Sequence, residues 1–178
     1  WRVDTLHLAT RIWSWITALD DAVDGCQGDL GAIESTLRRC RAAATGTDPG
    51  DDPIATALAE IRADLVARPG FGAVEPLWRD TVTRLIDGMR YEAVTGLATA
   101  RGAAPPPLAE YLRHAAHTVG VPMYVIALWA AMPPVEPTAL LPALRDAALA
   151  VRLANDLRGE AREGTEHNLN ALLLGLSP

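Results

Sequence analysis

The feature that most restricts this chain is how rarely its helical periodicity is interrupted. Apolar residues recur at three- and four-residue spacing almost from end to end, strand-like alternation is nearly absent, and the breaks are short Gly- and Pro-rich segments. A first helix is expected from about Asp4 to Asp24, where Leu6, Ala9, Ile12, Trp13, Ile16 and Thr17 repeat at helical spacing and Gly25 supplies a stop. A second is expected from about Leu30 to Ala44, closed by TGTDPGDDP, whose aspartates read as turn and capping residues. A third covers about Ile54 to Ala67. A fourth runs from about Val74 to Thr99 and ends at RGAAPPP, because consecutive prolines cannot continue a helix. A fifth starts near Leu108 and should bend or break inside HTVGVPMY, where Gly120 and Pro122 stand two residues apart. A sixth is expected from about Thr138 to Arg162 and a last from near Asn168. The chain therefore reads as all-α, one domain of about seven helices without internal repeats.

With 178 residues, 49% of them hydrophobic, the chain is long enough to bury a core. Its net charge of −6 argues against a nucleic-acid partner, which calls for a clustered basic surface, and makes a cation or a cation-carrying ligand the easier partner. Cys26 and Cys40 are too few for a disulfide framework and lack zinc-site spacing, so both read as reduced and structural, which suits a cytoplasmic protein. No apolar run reaches the ~18–20 residues needed to span a bilayer. The sequence opens at Trp1 and stops just after NLNALLLGL, and reads as a core cut from something longer at both ends.

Two acidic stretches stand out. In ALDDAVDG, Asp20 and Asp24 are four residues apart and share a helix face, with Asp21 about 100° around. Trp13 and Thr17 continue that face toward the N-terminus, which predicts an inward stripe ending in carboxylates. No Lys or Arg lies between Arg11 and Arg38, so the choice is between a solvated acidic turn and a hard cation such as Mg²⁺ held by oxygen ligands. In VRLANDLRGEAREGTEHN, Asn155, Gly159 and Glu163 fall along one edge of the sixth helix, with Arg152 a turn earlier. This stretch reads either as an exposed helix end laced with ion pairs or as a second set of oxygen ligands.

DDAVD resembles the aspartate-rich DDxxD motif of class I terpene synthases, and NDLRGEARE resembles their second metal motif, NDxx(S/T)xxxE. The order of the two and the roughly 130 residues between them are also similar to that family. RLANDL, MRYEA and EYLRHAAHTVG resemble bacterial and plant-type diterpene synthases in particular. The similarity runs from Trp13 to about Ala171.

The resemblance implies the class I terpenoid synthase helical bundle, here a truncated core, holding three Mg²⁺ ions that bind the diphosphate of an isoprenoid. It implies that Asp20 and Asp24 ligate metal on one side, with Asp21 supporting the site through a hydrogen bond, and that Asn155 and Glu163 ligate on the other. Arg152 is expected to contact the diphosphate, with Arg90 and Tyr91 as further candidates. The broken helix, through Thr118, Val119, Gly120, Met123 and Tyr124, would line the pocket and turn backbone carbonyls toward it, and Trp13 and Thr17 would line it from the first helix. Trp13, Tyr91, Tyr124 and Trp129 are candidate π faces for a carbocation. The implied reaction is Mg²⁺-dependent ionisation of geranylgeranyl or copalyl diphosphate followed by cyclisation to a diterpene, by a lyase for which a homodimer is a common assembly.

Gly159 departs from the family, which places Ser or Thr there as a ligand, and a water molecule would have to occupy the vacated space. That departure sustains a rival reading, a non-catalytic helical domain that binds a diphosphate without turning it over. A trans-prenyltransferase shares the fold but would carry a second DDxxD where this chain has NDLRG.

Overall fold

The computed structural model describes residues 3–26, 28–133, 136–166 and 169–175, with the side chains of 160–166 outside the description. Seven α-helices follow one another: α1 (Val3–Gly25), α2 (Leu30–Thr45), α3 (Pro53–Val66), α4 (Phe71–Ala100), α5 (Leu108–Thr118), α6 (Val121–Ala130) and α7 (Leu141–Glu166). A single 3₁₀ turn, Thr138–Leu140, leads into α7. No strand occurs among the described residues, and no helix is long and apolar enough to cross a membrane.

Local chemistry sets the helix ends. Asp29 accepts hydrogen bonds from the Gly31 and Ala32 N–H groups at the start of α2, and Asp52 does the same for Ile54 and Ala55 at the start of α3. Gly46 closes α2 at φ 84°, a left-handed conformation that glycine adopts without a Cβ penalty.

The count of seven has a different origin from the one expected. The expected fifth helix is two helices, and among the described residues the helix expected from near Asn168 is replaced by turns at 171–175, Asn168 itself lying outside them. The Ala171 N–H goes to an Asp156 carboxylate oxygen (3.0 Å), and Asn170 caps the turn, its side chain accepting from the Leu172 N–H (2.8 Å) and its carbonyl from the Leu174 N–H (3.0 Å).

The main core joins α1, α2, α3, α4 and α6. Ile12, Trp15, Ile16 and Leu19 of α1 pack with Leu37, Leu58, Ile61, Trp78, Leu85 and Ile126, among others. Trp15 also donates its indole N–H to the Ile54 carbonyl across to α3 (2.9 Å). This corrects the inward stripe expected for α1: Trp13 is 58% exposed and Thr17 is exposed as well. Trp13 and Trp15 stand about 200° apart on a helix, so only one can point inward, and the packing against α3 selects Trp15. Met123, expected in the pocket, is also a fully buried member of this core. Neither cysteine is bonded to the other; Cys40 is buried, and burial together with Asp52, against Arg41, pushes its thiol up to about 12.

α5 and α7 form a smaller second layer with Tyr111, Ala115, Leu169 and Ala171. α7 is held unusually: its fully described part buries Ala148, Arg152 and Asp156, an i, i+4, i+8 stripe that is mainly ionic, and leaves Val151 and Leu157 exposed.

The break between α5 and α6 depends on Gly120, at φ 70°. A Cβ there would lie 2.2 Å from Cδ1 of Ile16. Gly120→Ala therefore meets both a left-handed backbone and a clash with the core, and should destabilise the fold by about 2–4 kcal/mol. A drop in the urea midpoint with unchanged m value is the expected result.

Candidate active site

The two acidic stretches lie on helices that do not pack on each other. α1 packs on α3, α4 and α6, whereas α7 packs on α5 and α6. What connects them is a buried polar cluster contributed by α4, α5 and α7.

Asp20, Asp21 and Asp24 are all exposed and occupy the last two turns of α1. The C-terminal end of a helix already carries partial negative charge, and this last turn contains no basic residue. Three carboxylates near the negative pole make the local potential more negative rather than complementing the dipole. Burial raises the pKa of Glu92 on α4, opposed by Arg152 and the Thr118 hydrogen bond, with smaller upward contributions from Asp20 and Asp156.

Glu92 is the near end of the cluster. Its Oε1 accepts the Thr118 hydroxyl (2.8 Å), and its Oε2 is ion-paired with Nη1 of Arg152 (3.3 Å). Nη1 of Arg152 donates to Thr118 Oγ1 (3.2 Å), Nε is ion-paired with Oδ1 of Asp156 (2.7 Å), and Nη2 donates to the Tyr111 hydroxyl. The Tyr111 hydroxyl in turn donates to Oδ2 of Asp156 (2.9 Å). Arg152 is 7% exposed and Asp156 is fully buried. Burial opposes the Arg152 charge, but Glu92, Tyr111 and Asp156 more than reverse this, so its pKa is raised. Burial, reinforced by Glu92 and Asp156 and opposed by Arg152, raises the pKa of Tyr111 and keeps it a neutral donor.

The expected site residues thus fall into separate groups. Arg152 and Thr118 are brought together. Asn155 is exposed on α7 and Gly159 is half-buried, while the Glu163 side chain lies outside the described residues. Val119 and Tyr124 are half-buried and Gly120 is buried at the break, where the Gly120 carbonyl is taken by the Tyr124 N–H (3.0 Å). Arg90 points elsewhere, pairing with Glu34 of α2, and Tyr91 stacks on His114 with centroids 4.1 Å apart. Trp129 packs against the main core. A cavity of about 450 Å³ between α4, α5, α6 and α7, with Leu77, Leu112 and Leu144 on its walls, is lined by none of the expected metal, diphosphate or pocket residues.

Glu92, Tyr111, Asp156 and Asn170 were not singled out by the sequence. The available signal was weak: Arg152 and Asp156 are four residues apart, and a charged pair on the face of Ala148 must be paired if buried.

Among the described residues no three His, Cys, Asp or Glu side chains converge as a metal cage. The donors present nevertheless fit Mg²⁺ in kind. It is an oxygen-seeking ion that keeps several waters and is held by one or two carboxylates plus substrate phosphates, and Asp20 and Asp24 offer two exposed carboxylates on one helix face.

The all-helical fold and the order of the two acidic stretches are those that the resemblance to terpene synthases implies. The chain belongs to that family: the family model described as "Terpene synthase family 2, C-terminal metal binding" matches residues 11–174. The ent-pimara-9(11),15-diene synthase of Streptomyces sp. (strain KO-3988) is 31% identical over 163 residues, which cover 89% of this chain and 55% of that protein. The chain thus spans about half the length of this curated relative.

Proposed function

We propose that this chain is the metal-binding part of a class I diterpene cyclase, a lyase that ionises geranylgeranyl or copalyl diphosphate and closes the resulting carbocation into rings. The observation that carries the reading is the concentration of three exposed carboxylates, Asp20, Asp21 and Asp24, in the last two turns of α1. Exposed carboxylates on one helix face are oxygen donors of the kind a hard divalent cation takes. The similarity to a pimaradiene synthase supports the substrate class.

Asp20 and Asp24 would hold metal from α1, with Asp21 orienting them, and Asn155 and Glu163 would hold it from α7, with water in the space at Gly159. Three Mg²⁺ ions, when bound, would supply the positive charge that stabilises the departing diphosphate. Arg152 would offer its guanidinium to the same diphosphate, oriented by Asp156 and Tyr111. Thr118 and Gly120 would shape the wall at the helix break, and the exposed Trp13 would present its π face to the hydrocarbon.

The test is incubation of the complete protein with Mg²⁺ and, separately, farnesyl, geranylgeranyl and copalyl diphosphates, with gas chromatography and mass spectrometry of hexane extracts. Cyclic diterpene from a C20 substrate is expected. Longer diphosphates formed on adding isopentenyl diphosphate would instead identify an elongating enzyme. Mg²⁺-dependent binding of diphosphate without any turnover would identify the non-catalytic reading that Gly159 sustains.

A further inference from the structure

The geometry points to Glu92 as a positioning residue that both aims the Arg152 guanidinium and cancels its charge, so that a diphosphate cannot engage Arg152 until cations arrive with it. This rests on the diphosphate-binding role proposed above for Arg152.

Two sets of partners hold the guanidinium from opposite ends. Asp156 and Tyr111 grip Nε and Nη2 from the α7 and α5 side, while Glu92 and Thr118 grip Nη1 from the α4 side. The grips differ in consequence. Asp156 also anchors the segment at 169–172, so its loss disturbs the fold. Glu92 anchors only Nη1 and the hydroxyl of Thr118, the last residue of α5 before the break. The Glu92 side chain is 23% exposed, against 8% for Arg152, so it lies on the side of the cluster nearer to solvent.

Charge decides the rest. One guanidinium is paired with two carboxylates, Glu92 and Asp156, so with both ionised the cluster presents net negative charge to an incoming anion. A diphosphate gains from Arg152 only after cations offset Glu92 and the α1 aspartates. With one unit charge a few ångströms away, partly screened, removing Glu92's charge should strengthen metal-free anion binding by about tenfold.

The experiment is isothermal titration calorimetry of the complete protein with inorganic diphosphate, with EDTA and with Mg²⁺, for the wild type, Glu92→Gln and Glu92→Asp. Glutamine keeps the shape and an acceptor for Thr118 but not the charge, whereas aspartate keeps the charge. The expected result is that Glu92→Gln binds diphosphate in EDTA about tenfold more tightly than the wild type and that Glu92→Asp does not. In turnover, Glu92→Gln should lower kcat more than it changes KM, because Nη1 loses its fixed direction. Equal metal-free affinities for wild type and Glu92→Gln, with normal binding in Mg²⁺, would overturn the inference and leave the cyclase reading standing. A wild type that fails to bind diphosphate even with Mg²⁺ would overturn both. If Glu92→Gln loses its cooperative melt, Glu92→Met fills a similar volume without a buried polar demand and carries the same expectation.

Discussion

Asp20→Ala and Asn155→Ala should each reduce turnover by more than about 100-fold, the upper figure for disturbing merely the groups around metal ligands, while leaving the far-ultraviolet circular dichroism unchanged. The separation follows from where the side chains stand. Both residues are exposed, and the helices that carry them are fixed by other positions: Ile12, Trp15, Ile16 and Leu19 on α1, and Ala148, Arg152 and Asp156 on α7. Asp21→Ala should lose less activity, since it is assigned a supporting role. Retained turnover in Asp20→Ala or Asn155→Ala would remove the metal assignment.

Asp156→Ala should show the opposite pattern, a large loss of stability. Asp156 is fully buried, and its carboxylate and backbone carbonyl together receive Arg152, Tyr111, the Ala171 N–H and the Asn170 amide. Removing one member of a buried pair leaves an uncompensated charge and typically costs about 3–5 kcal/mol. Glu92 continues to face Arg152 at 3.3 Å, which places the expected cost near the lower figure. For a chain of this size about 3 kcal/mol corresponds to a fall of about 6–12 °C in Tm. The loss should be accompanied by faster amide exchange at Ala171, whose N–H loses its acceptor. If Tm falls by less than about 2 °C, the cluster does not hold α7 and the C-terminal segment in the way described.

The helices themselves were legible because their signals are local. Asp29 and Asp52 as caps, Gly46 as a stop and the break at Gly120 each depend on neighbours within a few residues, and observed boundaries fall within about three residues of those expected. The segment after Asn168 was misread for the complementary reason. NLNALLLGL has helical composition, but the described residues 171–175 are turns, anchored by the Asp156 carboxylate from the preceding helix and capped by Asn170. The orientation of α1 was misread because Trp13 and Trp15 offer two competing apolar faces, and only contact with α3 chooses between them.

The site divides along the same line. DDAVD and the Arg–Asn–Asp run of α7 were readable as candidate motifs because side chains three and four residues apart share a helix face. Glu92 and Tyr111 carry no such pattern: they lie on two further helices, and their importance comes from meeting Arg152 in space. The sequence by itself determined that this chain is helical, where its helices start and stop, and which carboxylates gather at the end of α1. Only the tertiary structure decided that Arg152 is buried and shared between Glu92 and Asp156. Arg152 meets Glu92, Tyr111 and Thr118 across 34 to 60 positions of chain, which leaves no periodicity to read, whereas helix propensity and capping act within a single turn.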